Sequence, residues 1–241
     1  LAMVGSAHRS VEEQFFHKQI AALTGADVHL VSHYSDGDGI LLSEDRSPNL
    51  RGALLNGLID QLPGRDLSAL AESIRSGAIR RLIVVDEDIT RLGLPAELLD
   101  RVEILYFGTH ANEVSKVAKV VCPSLSVFEK EGSFVNVSFR LQKFSAAVPG
   151  PAGLLPDTVI LEKISALLAG EKAETLSMEQ LWERISLKVG PFSGVTWRAI
   201  GNQGLTIEPG DLTGLDFIET ANLKYDPAVL KEPDTATADI K

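Results

Sequence analysis

Apolar positions at the start of the chain follow two different periods. A short continuous run, LAMVGSA, precedes an amphipathic segment, and a second run, VHLVSH, follows it. The middle segment has the signals of a helix, because Ser10 and Glu13 form a capping-box pattern and Gly25 stands where a helix would end. The apolar stripe of this helix comprises Val11, Phe15, Phe16, Ile20 and Leu23. The opening therefore predicts strand, helix, strand.

The same alternation returns between residues 66 and 123. A helical stripe ends at Gly77, the run LIVV then predicts a buried strand, and the runs VEILYFG and VAKVVCP predict two more. The stripe comprises Leu67, Leu70, Ala71 and Ile74. Helices that alternate with continuous apolar strands are typical of parallel sheets buried on both faces. The predicted fold class is α/β, with a mainly parallel, Rossmann-like sheet and helices on both faces.

The pattern changes after these strands. AAVPGPAGLLPD is a connector rich in proline and glycine, and Asp157 is predicted to cap the helix that follows. The predicted stripe of that helix comprises Ile160, Ile164, Leu167 and Leu168. The run SMEQLWERISLKV predicts another helix, with Ser177 and Gln180 as its capping box. We therefore expect an α/β domain at 1–170 and a C-terminal helical extension and tail at 171–241, whose end, EPDTATADIK, is predicted to fray.

Composition narrows the classes of function. The 241 residues carry a formal net charge of −10, and the 23 lysines and arginines are scattered, so nucleic-acid binding is not expected. No apolar run approaches the roughly 20 residues that cross a bilayer, so direct membrane insertion is not expected either. Cys122 is the only cysteine, which excludes an internal disulfide, a four-thiolate zinc site and an iron–sulfur cluster held by this chain alone.

Isolated polar residues give weak indications of chemistry. His29 and His33 have the spacing of metal ligands on a helix, but the run around them predicts a strand, so no metal site is predicted. A pocket of a free-standing α/β enzyme would need polar groups that converge at the strand ends. The candidates for such a cluster are Ser6, His8, Asp86 and His110. Nothing in the sequence ties these four together, and the favoured interpretation of His110 is an exposed loop position.

Three segments read together resemble a known family. They are DRSPNLRGALLNG at 45–57, NEVSKVAKVVCPSLSVFEKEGSFVNVSFRLQ at 112–142 and VPGPAGLLPDTVILEKISALL at 148–168. Their order is similar to that of the molybdopterin-oxidoreductase superfamily, and most similar to the large iron–sulfur subunit of NADH-quinone oxidoreductase, which is respiratory complex I. The resemblance covers roughly residues 1–185, and the middle segment is its specific part.

The middle segment is similar to a family pattern in which a glutamate, an alanine and a proline precede E-K-x-G, an asparagine and R-V-Q. The matching residues are Glu113, Ala118, Pro123, Glu129, Lys130, Gly132, Asn136, Arg140 and Gln142. The resemblance implies that this segment lies along the cleft in which superfamily enzymes hold a pterin cofactor. The cofactor contacts that it implies are Thr109, His110, Asn136, Arg140 and Gln142. Alternatively, the last three residues pair with Glu129 and Glu131 and pin a hairpin.

Departures from the family pattern favour the structural alternative. Lys119 stands where the family commonly has aspartate, and Cys122 where leucine is usual. Phe139 replaces a glycine of many relatives, and its ring is expected to crowd a cofactor that approaches closely. The large subunit of NADH-quinone oxidoreductase is a relative that keeps the fold of the molybdenum enzymes without their cofactor, so the resemblance implies a degenerate pocket.

The resemblance therefore implies a structural and docking module. We expect the cluster-free C-terminal portion of the large iron–sulfur subunit of an NADH-quinone oxidoreductase, with its iron–sulfur clusters in the missing N-terminal part and no catalytic or metal-binding residue of its own. Its partners would be the other subunits of the hydrophilic arm. It would lie on the cytoplasmic side of the bacterial inner membrane, held there through those partners. The alternative is a molybdopterin-binding fragment of a molybdenum oxidoreductase such as formate dehydrogenase.

Overall fold

A computed structural model describes residues 1–38 and 42–218. The first half of the chain alternates strands and helices: β1 (Ala2–Ser6), α1 (Val11–Thr24), β2 (Asp27–Val31), α2 (Leu50–Asn56), α3 (Ser68–Arg75), β3 (Arg81–Val85), β4 (Glu103–Gly108), α4 (Glu113–Val117) and β5 (Val120–Pro123). The second half contains β6 (Gly132–Val135), β7 (Arg140–Phe144), α5 (Asp157–Ala169), α6 (Met178–Lys188), α7 (Trp197–Ile200) and β8 (Leu205–Thr206). Short 3-10 turns connect several of these elements.

The first five strands form one parallel sheet in the order β2-β1-β3-β4-β5. Every pair of neighbours in it is parallel, with Ala2 beside Asp27 on one side and beside Leu82 on the other. Parallel neighbours need a crossover connection; α-helices supply it elsewhere in this sheet, and short 3-10 segments supply it between β3 and β4. The predicted α/β fold with a mainly parallel sheet is confirmed.

Separate hydrophobic cores lie on the two faces of this sheet. Met3 and Val85 pack with Phe15 of α1 and with residues of α5 and α6. Val4 packs on the opposite face with Leu70 and other residues of α3. Because strand side chains alternate between the faces and both faces are covered, the strands read as continuous apolar runs.

Helix α1 begins and ends where the sequence predicts. Ser10 accepts a hydrogen bond from the backbone N–H of Glu13, whose carboxylate accepts one from the N–H of Ser10, and Gly25 ends the helix at a φ of 63°. The predicted stripe is buried except at its end, since Leu23 is 48% exposed. The capping box predicted at Ser177 and Gln180 is also present, at the start of α6.

Two predictions for α5 are wrong. Asp157 is not its capping residue; Pro156 precedes the helix without a side-chain cap, and the Asp157 carboxylate instead pairs with buried cations. Leu167 and Leu168 are exposed, because the helix buries the face that carries Leu161 and packs it against α1. In the sequence, an aspartate buried at the first position of a helix cannot be distinguished from an aspartate that caps the helix.

The segment after β5 builds a second, antiparallel sheet. Strands β6 and β7 form a hairpin, and β8 pairs with β7 through Leu141 and Leu205. Helix α6 places Trp182 in the core that α1 shares with the parallel sheet. The division between 1–170 and 171–241 stays a prediction, and the tail predicted to fray lies outside the described residues. Among the described residues, no helix combines the length and the apolar character of a membrane span.

Candidate functional site

The loops that follow β1, β2, β3 and β4 meet at the carboxyl edge of the parallel sheet. The chain moves outward from β1 to β2 and then returns to the other side of β1 with β3, so the strand order reverses between β1 and β3. Ligands of open α/β sheets bind in the crevice that such a reversal leaves at the carboxyl ends of the strands. The topology therefore selects this edge as the candidate site.

A cavity of about 250 Å³ lies at this edge and is called here the edge cavity. Its lining consists of His8, His33, Asp86, Glu87, Tyr106, Thr109, His110 and Asn112. Three of the four polar residues that were candidates for a convergent cluster, His8, Asp86 and His110, thus line one cavity. Ser6 contacts it through a hydrogen bond from its hydroxyl to Glu87. The fold brings together residues that the sequence leaves unconnected.

A larger groove of about 760 Å³ lies between helices α1, α5 and α6. It is lined by the C-terminal half of α1, including Lys18 and Leu23, and by Glu162 and Arg184. In a strand–helix–strand unit that half of the helix lies toward the amino ends of the strands, opposite the edge where ligands gather. The groove contains no histidine, and we assign the candidate site to the smaller edge cavity.

Glu87 is the buried centre of the edge cavity. Its side chain is 3% exposed; one carboxylate oxygen accepts a hydrogen bond from Ser6, and the other lies 2.8 Å from Nε2 of His33. This hydrogen bond to Glu87 raises the pKa of His33. His8 lies beside His33 with a ring-centroid distance of 5.0 Å, and although the residue is exposed, partial desolvation of its ring lowers the pKa of His8. The two histidines therefore differ in their preferred charge.

The β4 side of the cavity is a hydrogen-bonded set of neutral donors. Asn112 donates to the hydroxyl of Tyr106 at 2.9 Å, and burial raises the pKa of Tyr106 to about 12. The Thr109 hydroxyl and backbone N–H lie 3.2 and 3.1 Å from Oδ1 of Asp86. His110 lies 2.8 Å from the Thr109 hydroxyl through Nδ1. This side can offer hydroxyl, amide and imidazole groups to a polar ligand.

Asp86 holds the loop after β3 in an uncommon conformation. Its φ is 60°, in the left-handed region that aspartate tolerates better than most residues. Besides its bonds from Thr109, its carboxylate lies 3.4 Å from Nη2 of the buried Arg9. These contacts join the ends of β3 and β4 to the loop that follows β1.

The other residues implied as cofactor contacts lie on the hairpin, away from the edge cavity. Asn136 and Gln142 line a separate depression of about 500 Å³ beside the loop before α2. The Asn136 amide donates to Oε1 of Gln142 at 3.2 Å, and Nε of Arg140 donates to the backbone carbonyl of Gln203 at 2.7 Å. These side chains pair in and next to the second sheet, and Glu129 instead accepts from the backbone N–H of Ser126.

Phe139 occupies a position whose backbone suits glycine. Its φ is 54°, in the left-handed region that glycine adopts without strain. The turn alone therefore accounts for a glycine at this place in the family pattern. Its ring packs against Phe217 at a centroid distance of 6.0 Å, and the guanidinium of Arg51 lies 5.7 Å from its centre. The ring of Phe139 does not line the edge cavity, so it could crowd only a cofactor bound beside the hairpin.

Two motif residues before and in α2 have a structural role. The Asn49 amide donates to the backbone carbonyl of Arg9 at 2.7 Å and to Oε1 of Gln14 at 3.0 Å, and its oxygen accepts from the N–H of Val135 at 2.8 Å. Gly52 lies against this amide, since a Cβ there would come within 2.2 Å of Asn49 Oδ1. The motif Asn-x-x-Gly thus ties α1, α2 and the hairpin together.

The lysine and the glycine of the Glu-Lys-x-Gly motif are also explained by packing on α1. Nζ of Lys130 lies 2.6 Å from Glu13 and 3.3 Å from Asp157, both buried, and Arg9 pairs with the same two carboxylates. A Cβ on Gly132 would meet Cβ of Ser10 at 3.0 Å.

A second buried carboxylate attaches the hairpin to the helix. Glu12 accepts from the N–H and the hydroxyl of Ser133 and from Nε1 of Trp182, at 2.7 to 3.0 Å. Burial raises its pKa, against these hydrogen bonds. The specific part of the family pattern therefore fixes the hairpin and the connector to α1.

Sequence reasoning missed Glu87 and the approach of His8 to His33. Glu87 lies directly after the run LIVV and one residue from Asp86, so an acidic pair after a buried strand was the available signal. The partner of His33 is Glu87 from a strand two positions away in the sheet, and not His29. Only the strand order shows this.

This chain is similar to known oxidoreductases over much of its length. A family model described as molybdopterin oxidoreductase matches residues 2–167. The alpha subunits of two F420-dependent formate dehydrogenases of Methanococcus maripaludis are 29% and 32% identical to this chain over 124 residues. The alpha subunit of an F420-dependent formate dehydrogenase of Methanocaldococcus jannaschii is 27% identical over the same length. Each match covers 51% of this chain but 18% of the relative, so the chain spans about a fifth of the length of these proteins.

Proposed function

Because this chain belongs to the molybdopterin oxidoreductase family, we propose that it is the part of a pterin-dependent oxidoreductase of the formate dehydrogenase class that forms one wall of the cofactor site. The relatives named above are formate dehydrogenases, which favours this alternative over the large subunit of NADH-quinone oxidoreductase. The observation that carries the proposal is the edge cavity at the strand-order reversal of a family-matched sheet.

The donor groups of the edge cavity fit the polar ring system of a pterin. Thr109 and His110 line the cavity with a hydroxyl and an imidazole, while Asn112 and Tyr106, which bond to each other and to nearby backbone, add polar wall to it. When bound, the cofactor would supply the oxidation–reduction chemistry, and these residues would bind and orient it. A cavity of about 250 Å³ is smaller than most ligand pockets, so this chain would enclose only part of the cofactor.

The phosphate groups of such a cofactor do not fit the beginning of α1. Helix N-termini commonly bind phosphate, but Glu12 and Glu13 occupy the first turn of α1 with buried carboxylates. Asp86 and Glu87 add two more carboxylates at the ends of the strands. In the proposed arrangement, the phosphates are therefore held by other parts of the full-length protein.

A second candidate function is the docking module first expected from the resemblance to NADH-quinone oxidoreductase. It is favoured by the hairpin, in which Asn136, Arg140 and Gln142 already have partners within the second sheet. In that arrangement the chain would pack against cluster-bearing subunits at the cytoplasmic face of the membrane, and the edge cavity would be vestigial.

Formate oxidation by the full-length protein distinguishes the two functions. We expect activity, with a reduction of at least about tenfold in Thr109→Val, because this change removes a hydroxyl that lines the cavity. Ser73→Ala is the matched control, since Ser73 lies on the exposed face of α3 and its hydroxyl donates only to the backbone of its own helix. An inactive wild-type protein that carries no pterin would support the docking module instead.

A further inference from the structure

Three side chains that the proposed pterin contacts do not include lie together on the β1, β2 and β3 side of the edge cavity. A ring nitrogen of His8, a ring nitrogen of His33 and a carboxylate oxygen of Glu87 all lie within 4.8 Å of one another. Within residues 1–38 and 42–218, no other group of three such ligands comes this close. The three residues follow three different strands, so the sheet itself positions them.

We propose that His8, His33 and Glu87 bind a divalent transition-metal ion of the zinc class. Two imidazoles and one carboxylate are a known ligand set of catalytic zinc sites, which keep the fourth position open. Zinc–ligand bonds of about 2.1 Å place tetrahedral ligand atoms about 3.4 Å apart. Here Nε2 of His33 lies 2.8 Å from a carboxylate oxygen of Glu87, and all three ligand atoms lie within 4.8 Å of one another.

The two histidines can make the small movement that binding requires. His8 is exposed and the His33 side chain is 40% exposed, so both rings can shift by about 1 Å without disturbing the core. Glu87 is fixed, because it is buried and its second oxygen accepts from Ser6. Hydrogen bonds of this kind orient metal-bound carboxylates. One rigid and two adjustable ligands thus face the same point.

The charges around the site favour a cation. Glu87 and Asp86 place two carboxylates at the end of β3, and Arg9 is shared among Asp86, Glu13 and Asp157. A divalent ion between His33 and Glu87 would place positive charge at this acidic end of β3 and would also bind His8.

The open position of the metal would face the neutral side of the cavity. Tyr106, Thr109, His110 and Asn112 line that side. A water molecule or a small anion would complete the coordination and would contact their hydroxyl and amide groups. The site is therefore of the open kind and not a closed structural centre.

Cobalt(II) titration of the purified chain, free of pterin and of any histidine tag, tests the proposal. We expect binding of one ion, with the visible absorption of a four-coordinate cobalt centre, and displacement by zinc. His8→Ala and Glu87→Gln should each weaken the affinity at least about tenfold. His29→Ala is the matched control and should bind like the wild type, because His29 lies within β2 and outside the ligand set.

Two results would overturn the metal site. The first is the absence of stoichiometric binding by a wild-type chain that is folded by circular dichroism. The second is an unchanged affinity in His8→Ala; a weakened affinity, in contrast, cannot be attributed to loss of the fold, because His8 is exposed. Because the titration uses a chain without cofactor, either result leaves the proposed pterin function to its own test.

Discussion

The fully buried His17 should make the protein sensitive to mild acid. Its side chain lies on α1 beside the charged groups of Glu13, Arg9 and Lys130, and Nδ1 has no hydrogen-bond partner among the described residues. Burial lowers its pKa from 6.5 to about 3. The folded protein therefore keeps His17 neutral at pH values where the unfolded chain binds a proton.

The size of the effect follows from this difference in pKa. Above about pH 6.5 neither state binds the proton and the contribution of His17 to stability is complete; it is lost progressively as the pH falls toward 3. Between about pH 7.5 and about pH 5 the free energy of unfolding should fall by roughly 2 kcal/mol through His17 alone. Asp157 acts in the opposite direction, since its pKa is raised to about 7 and its contribution is lost as the pH rises.

Urea unfolding of the wild type and of His17→Leu at these two pH values isolates the contribution of His17. Leucine fills a similar volume and cannot titrate, so the difference in unfolding free energy between the two proteins should change by roughly 2 kcal/mol, while Asp157 affects both alike. His110→Gln, which changes an exposed histidine, is the control and should follow the wild type. The reasoning is refuted if His17→Leu and the wild type show the same dependence on pH.

Three further predictions concern the structural motif residues. Asn49→Ala removes three buried hydrogen bonds and should lower the free energy of unfolding by about 3 kcal/mol in urea titration; a loss below about 1 kcal/mol would contradict its role as a tie. Phe139→Gly should be about 1 kcal/mol more stable than Phe139→Ala, because both lose the ring but only alanine retains the strain of a left-handed φ; equal unfolding midpoints would argue against that strain. Lys130→Met should lower the free energy of unfolding by about 3 kcal/mol, because it leaves the buried Glu13 with one cation fewer. Lys116→Met, in an exposed ion pair, should lower it by less than about 1 kcal/mol. Similar thermal midpoints for the two variants would contradict this difference.

The parallel sheet could be predicted from the sequence, because strands that are buried on both faces consist of continuous apolar runs. Continuous runs such as LIVV are typical of strands covered on both faces, and the capping boxes at Ser10 and Ser177 are local signals that need no tertiary contact. The burial of Asp157 is different, because the cations that pair with it come from Arg9 and Lys130, distant in the chain.

The candidate site could be predicted only in part. Strand ends identify His8, Asp86 and His110 as candidates one by one, but the order of the strands decides which loops meet. Glu87 and His33 are brought together by strands that lie on opposite sides of β1. Sequence spacing carries no information about that distance, and so the cluster emerges only from the fold.

The measurement that tests the central claim most directly is the molybdenum, tungsten and pterin content of the purified full-length protein. The proposed function predicts about one molybdenum or tungsten ion per chain, together with a pterin released on denaturation. A protein that is fully folded, contains its other cofactors and yet lacks molybdenum, tungsten and pterin would contradict it. That result would make the chain a docking module with a vestigial edge cavity.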